Sequence, residues 1–247
     1  MGKIYVVGLG PGGENQMTPR AKEAIACCDI VAGYGVYMDL IAPLLAGKEQ
    51  IVTPMKGEIE RCRLAVEAAA DGHTVAVVSS GDAGVYGMAA PVLALAAAYP
   101  EISVEVVPGI TASTAAAAIL GAPLTHDFAT ISLSDLLTPI ETIEQRVRAA
   151  AQADFVICLY NPSSRKRADY LRRACTWILD VRSGETPCGY VRNAGREGEC
   201  YGYCTLRELM DFQADMFTTV LIGNSTTRML GRRMVTPRGY RIPETEK

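Results

Sequence analysis

Short apolar runs alternate with segments of helical apolar spacing over the first half of the chain. Residues 4–7, 28–32, 74–79 and 103–107 read as strands, and 18–27, 34–46, 58–71 and 85–98 as helices. Strands separated by helices need crossover connections, which puts them in a mostly parallel sheet. Thr18-Pro19 marks a helix start, an N-cap followed by proline at the first helical position. The Ala-rich segment Thr111 to Leu120 follows Pro108-Gly109 and predicts a closely packed helix. Gly121-Ala122-Pro123-Leu124 marks a boundary, with a glycine after that helix and a proline that stops its continuation.

The second half has a different rhythm. Strands are expected at Phe128–Leu133 and Phe155–Leu159, the latter ending in the turn Tyr160-Asn161-Pro162-Ser163. Thr138-Pro139-Ile140-Glu141 reads as a T-x-x-E capping box with proline at N1, opening a helix to about Gln152. A helix over 164–181 follows, then strands at 186–191, 198–204 and 217–222. Thr205-x-x-Glu208 caps a short helix between the last two. Mixed or antiparallel pairing is expected here. The expected fold class is therefore α/β, with lobes over 1–120 and 121–247, the first on a mostly parallel sheet and the second on a mixed one.

Composition narrows the function. The chain has 247 residues, 49% hydrophobic and 21% charged, which suits an ordinary soluble globule with a large core. Residues 1–120 carry 7 Lys/Arg against 12 Asp/Glu, a net of −5, and the rest 17 against 15, a net of +2. With a pI near 5.5 this argues against nucleic-acid binding. Eight cysteines and two histidines form no C-x-x-C and no zinc spacing, so no metal is expected and the cysteines read as buried free thiols in a reducing cytoplasm. The apolar N-terminal segment is too short for a signal peptide. The stretch Ala83 to Tyr99 is interrupted by Gly84, Gly87 and Pro91 and is shorter than the ~20 residues a membrane span needs.

Candidate chemistry gathers at strand ends, where open α/β sheets bind ligands. Gly8-Leu9-Gly10-Pro11-Gly12-Gly13 satisfies G-x-G-x-x-G, yet its helix starts late, at Thr18, and no acidic residue closes the second strand to hold a ribose. A nicotinamide oxidoreductase is disfavoured on both counts. The other strand ends give Ser79 to Gly87, Pro108 to Ser113, Leu159 to Pro162 and Val191 to Gly195. Together they describe a cleft lined by backbone, with Asp82 as its carboxylate and Thr111, Tyr160 and Asn193 as neutral polar groups. Such a lining suits a zwitterionic or neutral ligand better than a triphosphate. G-x-S-x-G, H-E-x-x-H and the Walker lysine are all missing. A cofactor that brings the reactive group, with the protein positioning it, is the chemistry these residues allow.

Three of these motifs, G-x-G-P-G at Gly8 to Gly12, Gly81-Asp82, and Pro108 to Ala112 before the Ala-rich helix, resemble the tetrapyrrole methylases, and the resemblance covers essentially the whole chain. The stretches from His126 to Pro139, Leu159 to Pro162 and Val191 to Glu199 resemble the branch that methylates C17 of precorrin-3B or its cobalt-containing counterpart. Ala83 stands where the branch often has proline, and Ile140 where it often has tryptophan. The resemblance implies two αβα lobes, S-adenosylmethionine in the cleft between them, a homodimer, and a tetrapyrrole substrate with or without cobalt. By position, cofactor contacts would fall at Gly10, Pro11, Ser80, Gly81, Asp82, Val85, Thr111, Ala112, Tyr160, Ala194 and Thr219. The branch is also implied to contract the ring, and His126, Ser132 and Asp135 are the candidates for its proton transfers. Arg165, Arg192 and Arg196 are candidates to receive substrate carboxylates. The C11- and C20-methylating relatives and diphthine synthase share the first-lobe loops, and the stretch from His126 to Pro139 sets this chain apart from them. A module that senses an adenosyl ligand without chemistry is the remaining alternative.

Overall fold

The computed structural model describes residues 2–164 and 168–240. The chain forms two compact units, one ending at Ala112 and the other beginning at Ser113.

The first unit is built on five parallel strands: β1 (Lys3–Gly8), β2 (Ile30–Tyr34), β3 (Glu49–Thr53), β4 (Thr74–Ser79) and β5 (Ser103–Val107). Their order across the sheet is β3-β2-β4-β1-β5. Side chains alternate to two buried faces. Ile4, Val6, Val75 and Val77 pack on α3 (Glu58–Ala70) and α4 (Ala89–Ala96). Tyr5, Val7, Ala76 and Val78 pack on α1 (Pro19–Ala26) and α2 (Gly35–Asp39). Burial on both faces explains why these strands read as continuous apolar runs. Thr18 caps α1 as its sequence predicts, its hydroxyl accepting from the Ala21 amide at 3.1 Å.

Three local expectations change. The helix expected over 34–46 splits into α2 and a 3-10 turn at Ala42–Leu45, because Pro43 supplies no amide donor there. Strand β3 was not anticipated, since Glu49 and Gln50 head it and most of this edge strand is exposed. The helix expected from residue 85 starts at Ala89, because 84–88 is an irregular loop with Tyr86 at φ +55°.

In the second unit the main sheet has the order β10-β9-β11-β8-β7. Strands β7 (Phe128–Ser132) and β8 (Val156–Tyr160) are parallel. Strand β11 (Thr218–Ile222) runs antiparallel to β8 and to β9 (Pro187–Arg192), and β10 (Cys200–Thr205) antiparallel to β9. Helices α6 (Ile140–Gln152) and α7 (Tyr170–Leu179) cover one face, and α5 (Ala112–Leu120) the other. The fit of α5 is close: a Cβ on Gly189 would lie 2.6 Å from a Leu120 methyl. That packing carries α5 into the second unit and moves the division ahead of the expected 120/121 boundary. A small sheet of β6 (Gly121–Ala122), β12 (Arg228–Leu230) and β13 (Arg233–Val235) was not anticipated.

The box at Thr205 forms, with α8 (Leu206–Leu209) behind it: Thr205 Oγ1 accepts from the Glu208 amide and Glu208 accepts from the Thr205 amide. The box at Thr138 does not. Pro139 occupies the N-cap in extended conformation, and its carbonyl takes the first helical hydrogen bonds from Thr142 and Ile143. Helix α7 begins at Tyr170, later than expected. All eight cysteines are free thiols; Cys27 and Cys200 are exposed, contrary to the expectation of uniform burial. No helix among the described residues is long and apolar enough to cross a membrane.

Candidate active site

At the carboxyl ends of β1, β4 and β5 three loops close on one another. Gly10 and Gly81 form an antiparallel bridge, Gly10 N donating to Gly81 O at 3.0 Å and Gly81 N to Gly10 O at 2.8 Å. Both lie in the left-handed region, at φ +75° and +72°, where glycine carries no steric penalty. The glycines here admit backbone. A Cβ on Gly8 would lie 2.7 Å from Gly109 N, and one on Gly109 would lie 2.2 Å from Gly81 O. At Gly8 and Gly109 the missing side chain makes room for neighbouring backbone.

Asp82 ties the cluster together. Its Oδ1 accepts from Gly84 N at 2.8 Å and its Oδ2 from Gly109 N at 3.0 Å. Gly10, Pro11, Ser80, Gly81, Asp82, Thr111 and Ala112 are thus brought to one end of the first sheet. Val85 sits on the exposed loop that follows. No Lys or Arg occurs in 8–13, 80–88 or 108–112. One carboxylate among neutral backbone groups, with no basic side chain in these loops, does not fit a polyphosphate.

The second unit gathers its own group at one end of its sheet. Ser132 lies opposite Tyr160, Val220 opposite Leu159, and Thr219 opposite Val191, so Ser132, Tyr160, Thr219 and Ala194 share that end. The Tyr160 hydroxyl accepts from the Ser113 amide at 2.7 Å, satisfying an otherwise orphan donor in the first turn of α5. Asn161, at φ +52°, donates from Nδ2 to Ser132 Oγ at 3.0 Å, and the Ser134 amide donates to the same oxygen at 3.2 Å. The Tyr170 hydroxyl donates to Asp135 Oδ2 at 2.7 Å. That bond raises the phenol's pKa, because ionising Tyr170 beside a carboxylate is unfavourable. Sequence reasoning named Asn161 only as a turn residue and missed Tyr170. The Asn-Pro turn was the available signal for the first; nothing local pointed to the second.

Two of the sequence-predicted residues stand in surroundings of their own. His126 precedes β7 at the amino end of a strand that spans ~16 Å, at ~3.3 Å per residue, so it does not join Ser132 and Asp135. Its Nδ1 accepts from the Asp127 amide at 2.8 Å, and it lines a separate cavity of about 320 Å³ with Asp154, Asn224 and Arg238. Arg192 pairs through Nε with Asp215 Oδ2 at 2.7 Å, so its charge is matched within the fold. Arg196 stands in the turn from Asn193 to Glu199, its amide donating to the Asn193 carbonyl. Arg165 lies outside the described residues.

The model of the family described as Tetrapyrrole (Corrin/Porphyrin) Methylases matches residues 3–210. The chain belongs to this family. It is 49% identical over 241 residues to a probable cobalt-factor III C(17)-methyltransferase of Salmonella typhimurium, covering 97% of this chain and 100% of that protein. It is 40% identical over 248 residues to a precorrin-3B C(17)-methyltransferase of Sinorhizobium sp, covering 97% of each. Among solved structures it resembles the methyltransferase CobJ, with a TM-score of 0.89 at 38% identity over 96% of this chain and 100% of that one. The loops at the strand ends of this tetrapyrrole methylase are therefore the place to look for its chemistry.

Proposed function

We propose that this protein transfers a methyl group from S-adenosylmethionine to C17 of a precorrin-3B-type macrocycle, metal-free or cobalt-containing, with ring contraction, in cobalamin biosynthesis. The observation that carries the reading is the strand-end loop cluster of the first unit, which presents one carboxylate and no basic side chain, in a chain alike end to end to C17-methyltransferases. S-adenosylmethionine brings the electrophilic methyl group. The protein's part is to hold both reactants in line, because displacement at a methyl carbon depends on near-attack geometry. Gly10, Pro11, Ser80, Gly81, Thr111 and Ala112 supply neutral walls, and Asp82 keeps their loops in register. By the family resemblance, Tyr160, Ala194 and Thr219 are proposed as further cofactor contacts.

Ring contraction needs proton movement. Ser132 Oγ accepts hydrogen bonds from Asn161 Nδ2 at 3.0 Å and from the Ser134 amide at 3.2 Å, which hold the hydroxyl at this end of the sheet. The Tyr170 hydroxyl donates to Asp135 across 2.7 Å, and the two form the second polar pair at this end of the sheet. We assign these three, with Asn161 orienting Ser132, to the contraction step. The active form is a homodimer.

Calorimetry tests the cofactor assignment. S-adenosylhomocysteine, the demethylated product, is expected to bind and NAD not to bind. Tight NAD binding without S-adenosylhomocysteine binding would return the glycine loop to the nicotinamide class.

A further inference from the structure

Among the described residues, Arg61 is the only charged residue that is buried, at 3% exposure. It takes a place on α3 whose neighbours four and eight positions on, Ala65 and Ala69, are fully buried. A guanidinium offers five donors, and here they are poorly used. Nη2 is 3.4 Å from the carbonyl oxygens of Thr53 and Pro54, and Nη1 is 3.7 Å from Met88 Sδ. Nε has no partner. No carboxylate among the described residues pairs with it. A buried cation without a counter-charge is costly, and an apolar side chain of similar volume is often more stable in such a place.

A second orphan lies in the same layer. Ser79 Oγ is buried without a partner at the end of β4, and strand alternation turns it to the face of Val75 and Val77, which packs on α3 and α4. Met88 caps the amino end of α4 and closes the irregular loop that follows Asp82. Its thioether is a weak acceptor on a flexible, adaptable side chain.

We propose that Arg61 is a carboxylate-binding residue, covered by Met88 in this structure, which receives a ligand carboxylate when the methionine side chain turns aside. Ser79 provides a second donor. This inference rests on the proposed function, whose two ligands both carry carboxylates: the amino-acid end of the cofactor and the acid side chains of the tetrapyrrole.

The test uses the full chain, the variants R61M and R61K, and two probes, S-adenosylhomocysteine and uroporphyrin III. R61M is expected to be at least as heat-stable as the wild type in the absence of probe. It should bind one probe about tenfold to a hundredfold more weakly, the worth of a hydrogen bond to a charged group. R61K should recover part of that loss, since it keeps charge without the fork. The probe that suffers identifies the source. If it is S-adenosylhomocysteine, then 5′-methylthioadenosine, which lacks the amino-acid end, should bind wild type and R61M alike. The Nε–H resonance of Arg61 in arginine-labelled wild-type protein should also shift when that probe is added. This second measurement decides the matter should R61M not fold. Wild-type binding of both probes with unchanged affinity in R61M, or with an unmoved Nε–H resonance, would overturn the assignment of Arg61 alone. Failure of the wild type to bind either probe would overturn the functional reading and this inference with it.

Discussion

At Gly109 a methyl group would stand 2.2 Å from the Gly81 carbonyl oxygen and 2.6 Å from that of Gly8, both backbone atoms with nowhere to go. Replacing Gly109 by alanine should therefore cost at least ~1–3 kcal/mol, the usual penalty of overpacking. Gly13 makes the control, because the nearest atom to its Cβ position is 3.9 Å away. There the same change should stay within ~0.5 kcal/mol. Urea unfolding of G109A and G13A measures both, and equal losses would mean that the loops are not packed backbone to backbone. The glycines were legible in the sequence as strand-end loops, but their neighbours were not, because each partner loop comes from a distant strand. The surroundings of Arg192 and His126 were hidden for the same reason. Asp215, which neutralises Arg192, lies on another segment, and nothing near His126 in sequence says which end of its strand faces the polar cluster. Arg61 was open to notice as a lone charge on an apolar stripe of α3, although its missing counter-ion is visible only in three dimensions.

Local capping chemistry decides where several elements begin. The box at Thr205 and Glu208 is complete, so T205A should lower stability by about 1 kcal/mol, the common worth of an N-cap. Hydrogen bonds from Thr205, first of all from its amide, hold the Glu208 carboxyl below its ordinary value of 4.5. A lowered carboxylate pKa stabilises the fold above the unfolded value, and the benefit disappears as pH falls through the folded one. The stability difference between wild type and E208Q should accordingly be present above pH 4.5 and vanish in more acid solution, as chemical denaturation across that range would reveal. A difference that grew on acidification would contradict the assignment. Helix α1 was readable because periodicity and cap agree, and α3, α5 and the buried strands from their apolar patterning. Strand β3 was hidden by its polar, exposed edge position. Helix α4 starts late because residues 84–88 adopt a loop that their apolar content does not announce.

For the whole molecule, two α/β units with a parallel sheet in one and a mixed sheet in the other follow from the change in rhythm along the chain. Their division did not follow from it. The boundary signal at Gly121-Pro123 is real chain punctuation, yet α5 lies ahead of it and packs on the second sheet through Ala116, Ala117 and Leu120. Which sheet an Ala-rich helix joins depends on surfaces that sequence spacing does not encode. The small sheet was illegible because β6 and β13 pair across a long stretch of chain, while β12 and β13 form a hairpin of only three-residue strands. Function was legible at the level of family because the loop motifs occur in order over the full length, whereas the surroundings of each residue required the structure. The central claim is a methyl transfer to a tetrapyrrole, and mass spectrometry of the product tests it most directly. Purified protein is incubated with S-adenosylmethionine and a tri-methylated precursor, in metal-free and cobalt-loaded forms. The account predicts a product that gains one methyl group, located at C17, together with the contracted ring and stoichiometric S-adenosylhomocysteine. An unaltered macrocycle in both forms, from protein that binds S-adenosylhomocysteine normally, would contradict it.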